Sequence, residues 1–178
     1  MSAVLYTGEI VEQKPLDTTT GGVSAICIAP VAGKVMLRLQ EAEAIAGAGL
    51  KGDRYAAGIG SFNIKRGGVG IRQVSFMNAR FLQGTEFLPE DTRRNVFTIG
   101  VELSWLLPMS DKPGKLFRIG NVLFRAQKYL DPCPRPSKLS GKSGFKETFF
   151  DCGAIIAEVV EGGSFKVGDP VYHENKGY

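Results

Sequence analysis

Glycine-rich turns cut the apolar residues of this chain into short runs, and that single feature constrains its fold most. The 178 residues include 23 glycines and 11 phenylalanines, and no long run of helix formers interrupts the pattern. Aromatic and β-branched residues bounded by turn residues favour short strands. Residues 116–119 and 122–124 flank Gly120-Asn121, the local signature of a hairpin. Residues 154–160 and 164–167 flank Gly162-Gly163 and give a second hairpin signal. Residues 23–29 are apolar on both faces and stop at Pro30, which predicts a buried strand. Residues 35–40 alternate as a strand expected to continue through 41–46, until Gly47 and Gly49 end it. Residues 72–76 and 95–99 read as strands. Asn78 is placed to cap a short helix running to Gln83 and closed by Gly84, and residues 102–107 predict a helical turn before Pro108. Short strands with few helices predict a mainly β fold, a closed or nearly closed β-barrel, because closure removes exposed strand edges.

A chain of this length, 43% hydrophobic, suits one domain with a sizeable core. Residues 23–178 are assigned to it. Residues 1–22, with a strand at 4–11 and a polar link at 17–22, read as an N-terminal extension. The net charge of +4 and a pI near 9.0 are modest beside the basic stripes of a nucleic-acid binder and better suited to small anions. No signal-peptide pattern opens the chain, and no apolar stretch approaches the roughly 20 residues that span a bilayer, so a cytoplasmic protein is expected, with no membrane association.

Cys27, Cys133 and Cys152 are too few and too widely spaced for a disulfide framework or a zinc site. Cys27 lies between Ile26 and Ile28, where core packing is the expected role, and Cys152 is read as structural too. Cys133 differs. It sits in Asp131-Pro132-Cys133-Pro134-Arg135-Pro136, a stiff loop with Lys128, Arg135 and Lys138 nearby. Cations near a thiol favour its thiolate, the form that attacks, carries sulfur or ligates a soft metal. The competing reading is a small buried apolar residue. Arg93-Arg94-Asn95 can fork onto phosphate or carboxylate oxygens, or can stand as solvated surface charge. Asp53 and Arg54 can bond each other to fix their turn or point at a ligand. The glycine-rich segment 58–70, with Lys65 and Arg66, reads as a surface loop able to cover a ligand. His173 is the only histidine and is expected in a frayed exposed position, so it is assigned no catalytic role; a Cys-His dyad would depend wholly on it, and a Ser-His-Asp hydrolase is equally unpromising.

Several segments together resemble the MOSC family, the module related to the C-terminal domain of molybdenum cofactor sulfurases, in that family's order from about Val23 to Val171. Gly49-Leu50-Lys51-Gly52-Asp53-Arg54 is similar to its G-L-x-G-D-R loop, with Tyr55 where many members have His. Arg72-Gln73-Val74-Ser75-Phe76, Arg93-Arg94-Asn95-Val96 with Gly100-Val101-Glu102-Leu103, and Phe117-Arg118-Ile119-Gly120 resemble further motifs. Asp131-Pro132-Cys133-Pro134-Arg135 with Gly141 resembles the E-P-C-x-R…G segment that carries the family's cysteine. Leu130 replaces the first cysteine of the C-x-P-C form, which leaves a single thiol. The resemblance implies a barrel of the pyruvate-kinase type that binds molybdenum cofactor. Cys133 would be catalytic residue, sulfur carrier or metal ligand, and Arg54, Arg93, Arg94, Asn95 and Arg135 would be cofactor-binding. It implies either a reductase component acting on small N-hydroxylated compounds with an electron-transfer reductase, or a non-catalytic carrier served by a cysteine desulfurase-type sulfur donor. No pyridoxal phosphate site is expected. A nucleic-acid-binding barrel is the contrasting reading, and no nucleic-acid partner is expected.

Overall fold

The computed structural model describes residues 21–66 and 72–173; the strand expected at 4–11 and part of the 58–70 segment lie outside them. The chain runs β1 (Gly22–Ile28), β2 (Leu37–Leu39), β3 (Glu41–Ile45), β4 (Gly49–Leu50), α1 (Ser61–Arg66), β5 (Val74–Asn78), β6 (Val96–Ile99), β7 (Leu116–Ile119) and β8 (Val122–Tyr129). It continues through α2 (Arg135–Ser140), α3 (Phe145–Thr148), β9 (Ile155–Glu161), β10 (Gly163–Lys166) and β11 (Val171–His173). Three 3-10 turns, Ala79–Leu82, Pro89–Thr92 and Leu103–Leu106, complete it. The fold is mainly β with a few short helices.

Among the described residues one sheet has the order β11-β7-β8-β9-β5-β6-β1-β2, and a smaller one β10-β3-β4. The larger ladder is not closed into a continuous barrel. It curls far enough for Gly22 to bridge Pro170, with Val23 N donating to Asp169 O at 2.9 Å. No helix among the described residues is long and apolar enough to cross a membrane.

Two expectations are corrected. The strand foreseen over 35–46 breaks at Gln40: β2 joins β1 in the large sheet while β3 pairs with β10 in the small one. Gly162-Gly163 makes no hairpin, because β9 pairs with β5 and β8 and the chain turns a corner there into the other sheet. The hairpin of β7 and β8 forms as read, in the register Ile119 to Val122. Asn78 caps its short turn by accepting from Arg80 N at 3.0 Å.

Strand alternation sorts the core into two clusters, one on each face of the large sheet. Ile26, Phe76, Val96 and Ile155 point to a cluster in which Phe76 meets Phe117 and Phe124 edge to face at 5.3 and 5.1 Å. Cys27, Met77, Phe97 and Ile156 point to the other, which Phe87, Phe145 and Phe149 cover. Fully burying one such ring stabilises the fold by about 1.5–3 kcal/mol. Phe145 and Phe149 belong to or adjoin α3. Lys142 fixes that region by reaching Asp91 at 2.5 Å and Glu86 O at 2.6 Å. The candidate site grows out of this second face.

Candidate functional site

Ser75 and Asn95 point to the same face as Met77 and Phe97, and a buried polar tie forms there. Ser75 Oγ donates to Asn95 Oδ1 at 2.8 Å, and Asn95 Nδ2 donates to Cys27 O at 3.1 Å and Asp53 Oδ2 at 3.3 Å. Asp53 accepts also from Ala29 N at 2.8 Å and from Tyr55 N at 2.9 Å. A carboxylate holding this many donors can sit in the core because its lone pairs are used. The bonds pin the 49–55 loop to the end of β1 and the start of β6, and so aim Arg54 and Tyr55.

Above this floor lies a cleft of about 220 Å3 lined by Arg54, Tyr55, Ser61, Phe62, Arg72, Ser75, Arg93, Arg94, Leu130, Cys133, Arg135 and Pro136. Five guanidiniums share it with one thiol, and that thiol is exposed. Of the residues expected from sequence, Cys133, Arg54, Arg93, Arg94 and Arg135 come together in the walls. Asn95 does not; it lies underneath with its amide engaged by Ser75, Cys27 and Asp53.

The arginines are unequal. Arg54 pairs with Asp53 at 3.3 Å, the one ion pair any of the five makes among the described residues. Arg93 takes a left-handed backbone, φ 64°, and its guanidinium donates to Lys34 O. Burial, with repulsion from Arg54 and Arg135, pulls its pKa down to about 10. Arg94 is only 5% exposed, and its Nε is buried with no hydrogen-bond partner. Burial likewise lowers its pKa to about 10, against the attraction of Cys152 and Cys133.

Aromatic rings hold the outer arginines. The Arg54 guanidinium lies 4.5 Å over Tyr55, and that of Arg72 lies 3.8 Å over Phe62. Such stacking uses the face of a guanidinium and leaves its N–H edge for a ligand. Phe62 comes from α1, so the 58–70 segment carries a helix where a loop was expected. Asn63 Nδ2 donates to Tyr55 O at 3.1 Å and ties that helix to the cleft. Gly60 makes the approach possible, since a Cβ there would stand 2.4 Å from the Tyr55 ring. Sequence reading did not assign Arg72, Tyr55, Phe62 or Ser61 to a site; the usable signal was an arginine two residues after a glycine-rich, charged segment.

The other thiols differ from Cys133. Cys27 is fully buried, and burial pushes its pKa up to about 12; burial also raises that of Cys152, which is 4% exposed. His173 is not frayed: it pairs with Phe117 in β11 and packs edge to face on Trp105 at 4.7 Å, away from the lining of the cleft.

No family model matches this sequence, and no curated protein matches it. Solved structures do. The chain is similar to the YuaD protein of Bacillus subtilis, with a TM-score of 0.66 at 19% identity over 88% of this chain and 97% of that one. It is similar to YiiM of Escherichia coli, with a TM-score of 0.57 at 16% identity over 87% and 70% of the two chains. For YiiM of Geobacillus stearothermophilus the TM-score is 0.59 at 12% identity over 88% and 76%. At these identities the likeness is one of fold alone.

Proposed function

We propose that this chain is a MOSC domain, its sheet wrapped into a nearly closed barrel, that binds molybdenum cofactor in the arginine cleft with Cys133 Sγ as ligand to the metal. The observation that carries this reading is the gathering of five arginines and one exposed thiol in one cleft. A ligand with a phosphate at one end and a soft metal at the other calls for that donor set. The residues fit the group in two further respects. Arg94 is a buried cation with no ion-pair partner among the described residues, so an anion supplies what it lacks. Also among the described residues, no three His, Cys, Asp or Glu side chains converge on a metal position. A metal bound at Cys133 therefore arrives with ligands of its own, as in an organic cofactor.

Arg93, Arg94 and Arg135 would hold the phosphate, while Arg54 and Arg72, steadied on Tyr55 and Phe62, would flank the body of the cofactor. When bound, the cofactor would supply two-electron or sulfur-transfer chemistry at its metal. Two uses follow. In the first the domain reduces small N-hydroxylated compounds with electrons from a partner reductase. In the second it carries cofactor or sulfur, received from a cysteine desulfurase-type donor, and hands it on; the exposure of Cys133, open to a second protein, favours this use.

The test reconstitutes wild type and Cys133→Ser with molybdenum cofactor under anaerobic conditions, desalts both, and measures retained molybdenum by elemental mass spectrometry. Wild type is expected to retain metal and Cys133→Ser to lose it. Equal retention refutes ligation by Cys133, and retention by neither refutes cofactor binding. Turnover of a hydroxylamine with a chemical reductant then separates reductase from carrier.

A further inference from the structure

We propose that the inner wall of the cleft is a binding site for a free tetrahedral dianion, inorganic phosphate foremost, built around Arg94, and that its occupancy controls cofactor loading. The second half of this proposal rests on the cofactor reading above; the first does not.

Positive charge dominates the cleft. Arg54, Arg72, Arg93, Arg94 and Arg135 line one cleft, and among the described residues only Arg54 has a carboxylate, Asp53 at 3.3 Å. Asp53 already accepts from Ala29 N, Tyr55 N and Asn95 Nδ2 as well as Arg54, and none of the other four arginines pairs with it. Arg94 is 5% exposed, belongs to the cleft wall, and makes no side-chain hydrogen bond or ion pair to the described residues. Buried cations are ordinarily paired, because desolvation penalises an isolated charge by several kcal/mol. A cation held in this way beside a cavity is compensated by whatever anion enters.

The shape of the donors selects the anion. Guanidiniums present forked, planar N–H pairs, which match the several oxygens of a phosphate better than a spherical halide. Arg72 rests its face on Phe62 and Arg93 is anchored at Lys34 O, so both are oriented in advance. About 220 Å3 is room for several waters at about 30 Å3 each, enough for a small oxyanion with part of its hydration. Such an ion and the phosphate of a bound cofactor would occupy the same donors, so each excludes the other.

Isothermal titration with inorganic phosphate, in a phosphate-free zwitterionic buffer, tests the site. Saturable binding to wild type is expected, with sulfate competing and nitrate not. Arg94→Met is expected to weaken phosphate at least tenfold, about 1.4 kcal/mol. Arg80→Met, which alters an exposed arginine paired with Glu102, is expected to bind as wild type. The site is overturned by absence of saturable binding, by unchanged affinity in Arg94→Met, or by displacement with nitrate as effective as with sulfate. Should Arg94→Met not fold, Arg72→Met carries the same comparison at a less buried position. Repeating cofactor reconstitution with added phosphate tests the control: molybdenum retained by wild type is expected to fall several-fold, and unchanged retention overturns it. If phosphate binds and no molybdenum is ever retained, the oxyanion site stands and its control falls together with the cofactor reading.

Discussion

Removing the most deeply placed charge of the cleft should make the free protein more stable. Arg94 drops from the ordinary arginine range to about 10 because burial disfavours its cation, and no carboxylate among the described residues offsets that. At about 1.36 kcal/mol for each tenfold change in proton affinity, this sets a ceiling of about 3 kcal/mol on the destabilisation. Met keeps most of the apolar stem and needs no partner, and replacing buried charge with apolar side chains has commonly gained about 1–4 kcal/mol. The substitution also removes the cation from over the Phe145 ring, but at 6.0 Å that attraction is weak. For a domain of this size 1 kcal/mol moves Tm by about 2–4 °C, so Arg94→Met should melt roughly 4–10 °C above wild type in phosphate-free buffer at neutral pH. The folded pKa lies below the unfolded one, so the penalty is fully present below about 10 and is relieved as pH rises from there toward the ordinary arginine range. The gap between the two proteins should close over that range and stay constant beneath it. Added phosphate should raise the Tm of wild type and raise that of the variant much less at the same concentration, as a ligand that binds only the folded state, and the variant more weakly, requires. Calorimetric melts of both proteins, with and without phosphate, decide the matter. A variant that melts below wild type in phosphate-free buffer refutes the reasoning, since it would mean that Arg94 is compensated within the folded chain.

Alkylation of the native protein at mildly alkaline pH should modify Cys133 alone; mass spectrometry should find Cys27 and Cys152 modified only after unfolding, given their burial. Asp53→Ala removes an acceptor from Ala29 N, Tyr55 N and Asn95 and leaves Arg54 buried without its partner, so denaturant titration should find a loss of about 3–5 kcal/mol. Asp53→Asn keeps part of that bonding and should lose less. Gly60→Ala places a methyl 2.4 Å from the Tyr55 ring, so it should weaken phosphate binding several-fold while lowering Tm by only a few degrees, about 1 kcal/mol for a domain this size.

What the sequence made legible was whatever is decided locally. The β7–β8 hairpin follows from two apolar runs and the Gly120-Asn121 turn between them, and the Asn78 cap from one side chain reaching two residues ahead. The corner at Gly162-Gly163 carries the same local signature as a hairpin. It differs because β3 passes beneath it, close enough that a Cβ on Gly162 would meet Ala44 O at 2.8 Å, and no local pattern announces a neighbour so remote in sequence. The break at Gln40 has the same origin: β10 draws β3 away from β1. For the cleft, the charged motifs around Cys133 and Arg93-Arg94 were legible as types, whereas their parity was not. Asn95 shares a strand face with Phe97 and turns down into the polar tie, while Arg94 next to it borders the cavity. Arg72 and Phe62 belong together only because α1 folds back over Tyr55, and that contact depends on Asn63 and Gly60.

The one carboxylate that pairs with these arginines among the described residues, Asp53, explains how the cleft tolerates its charge and why it is left partly uncompensated. Asp53 neutralises Arg54, the arginine next to it in sequence, and in doing so organises the loop that places the others. Had Arg93 and Arg94 been given carboxylates of their own, the domain would be more stable and the anion would meet a neutral wall. The phenylalanine clusters on both faces of the sheet supply the stability against which this imbalance is held. Phe145 belongs to one of those clusters and lies beside Arg94, so the packing that stabilises the fold also desolvates the cation. Low-dielectric surroundings strengthen the pull of that cation on an entering anion as much as they penalise it when alone. The affinity of the cleft and the instability of its empty form are therefore two expressions of one electrostatic effect, and a substitution that removes the second must remove the first.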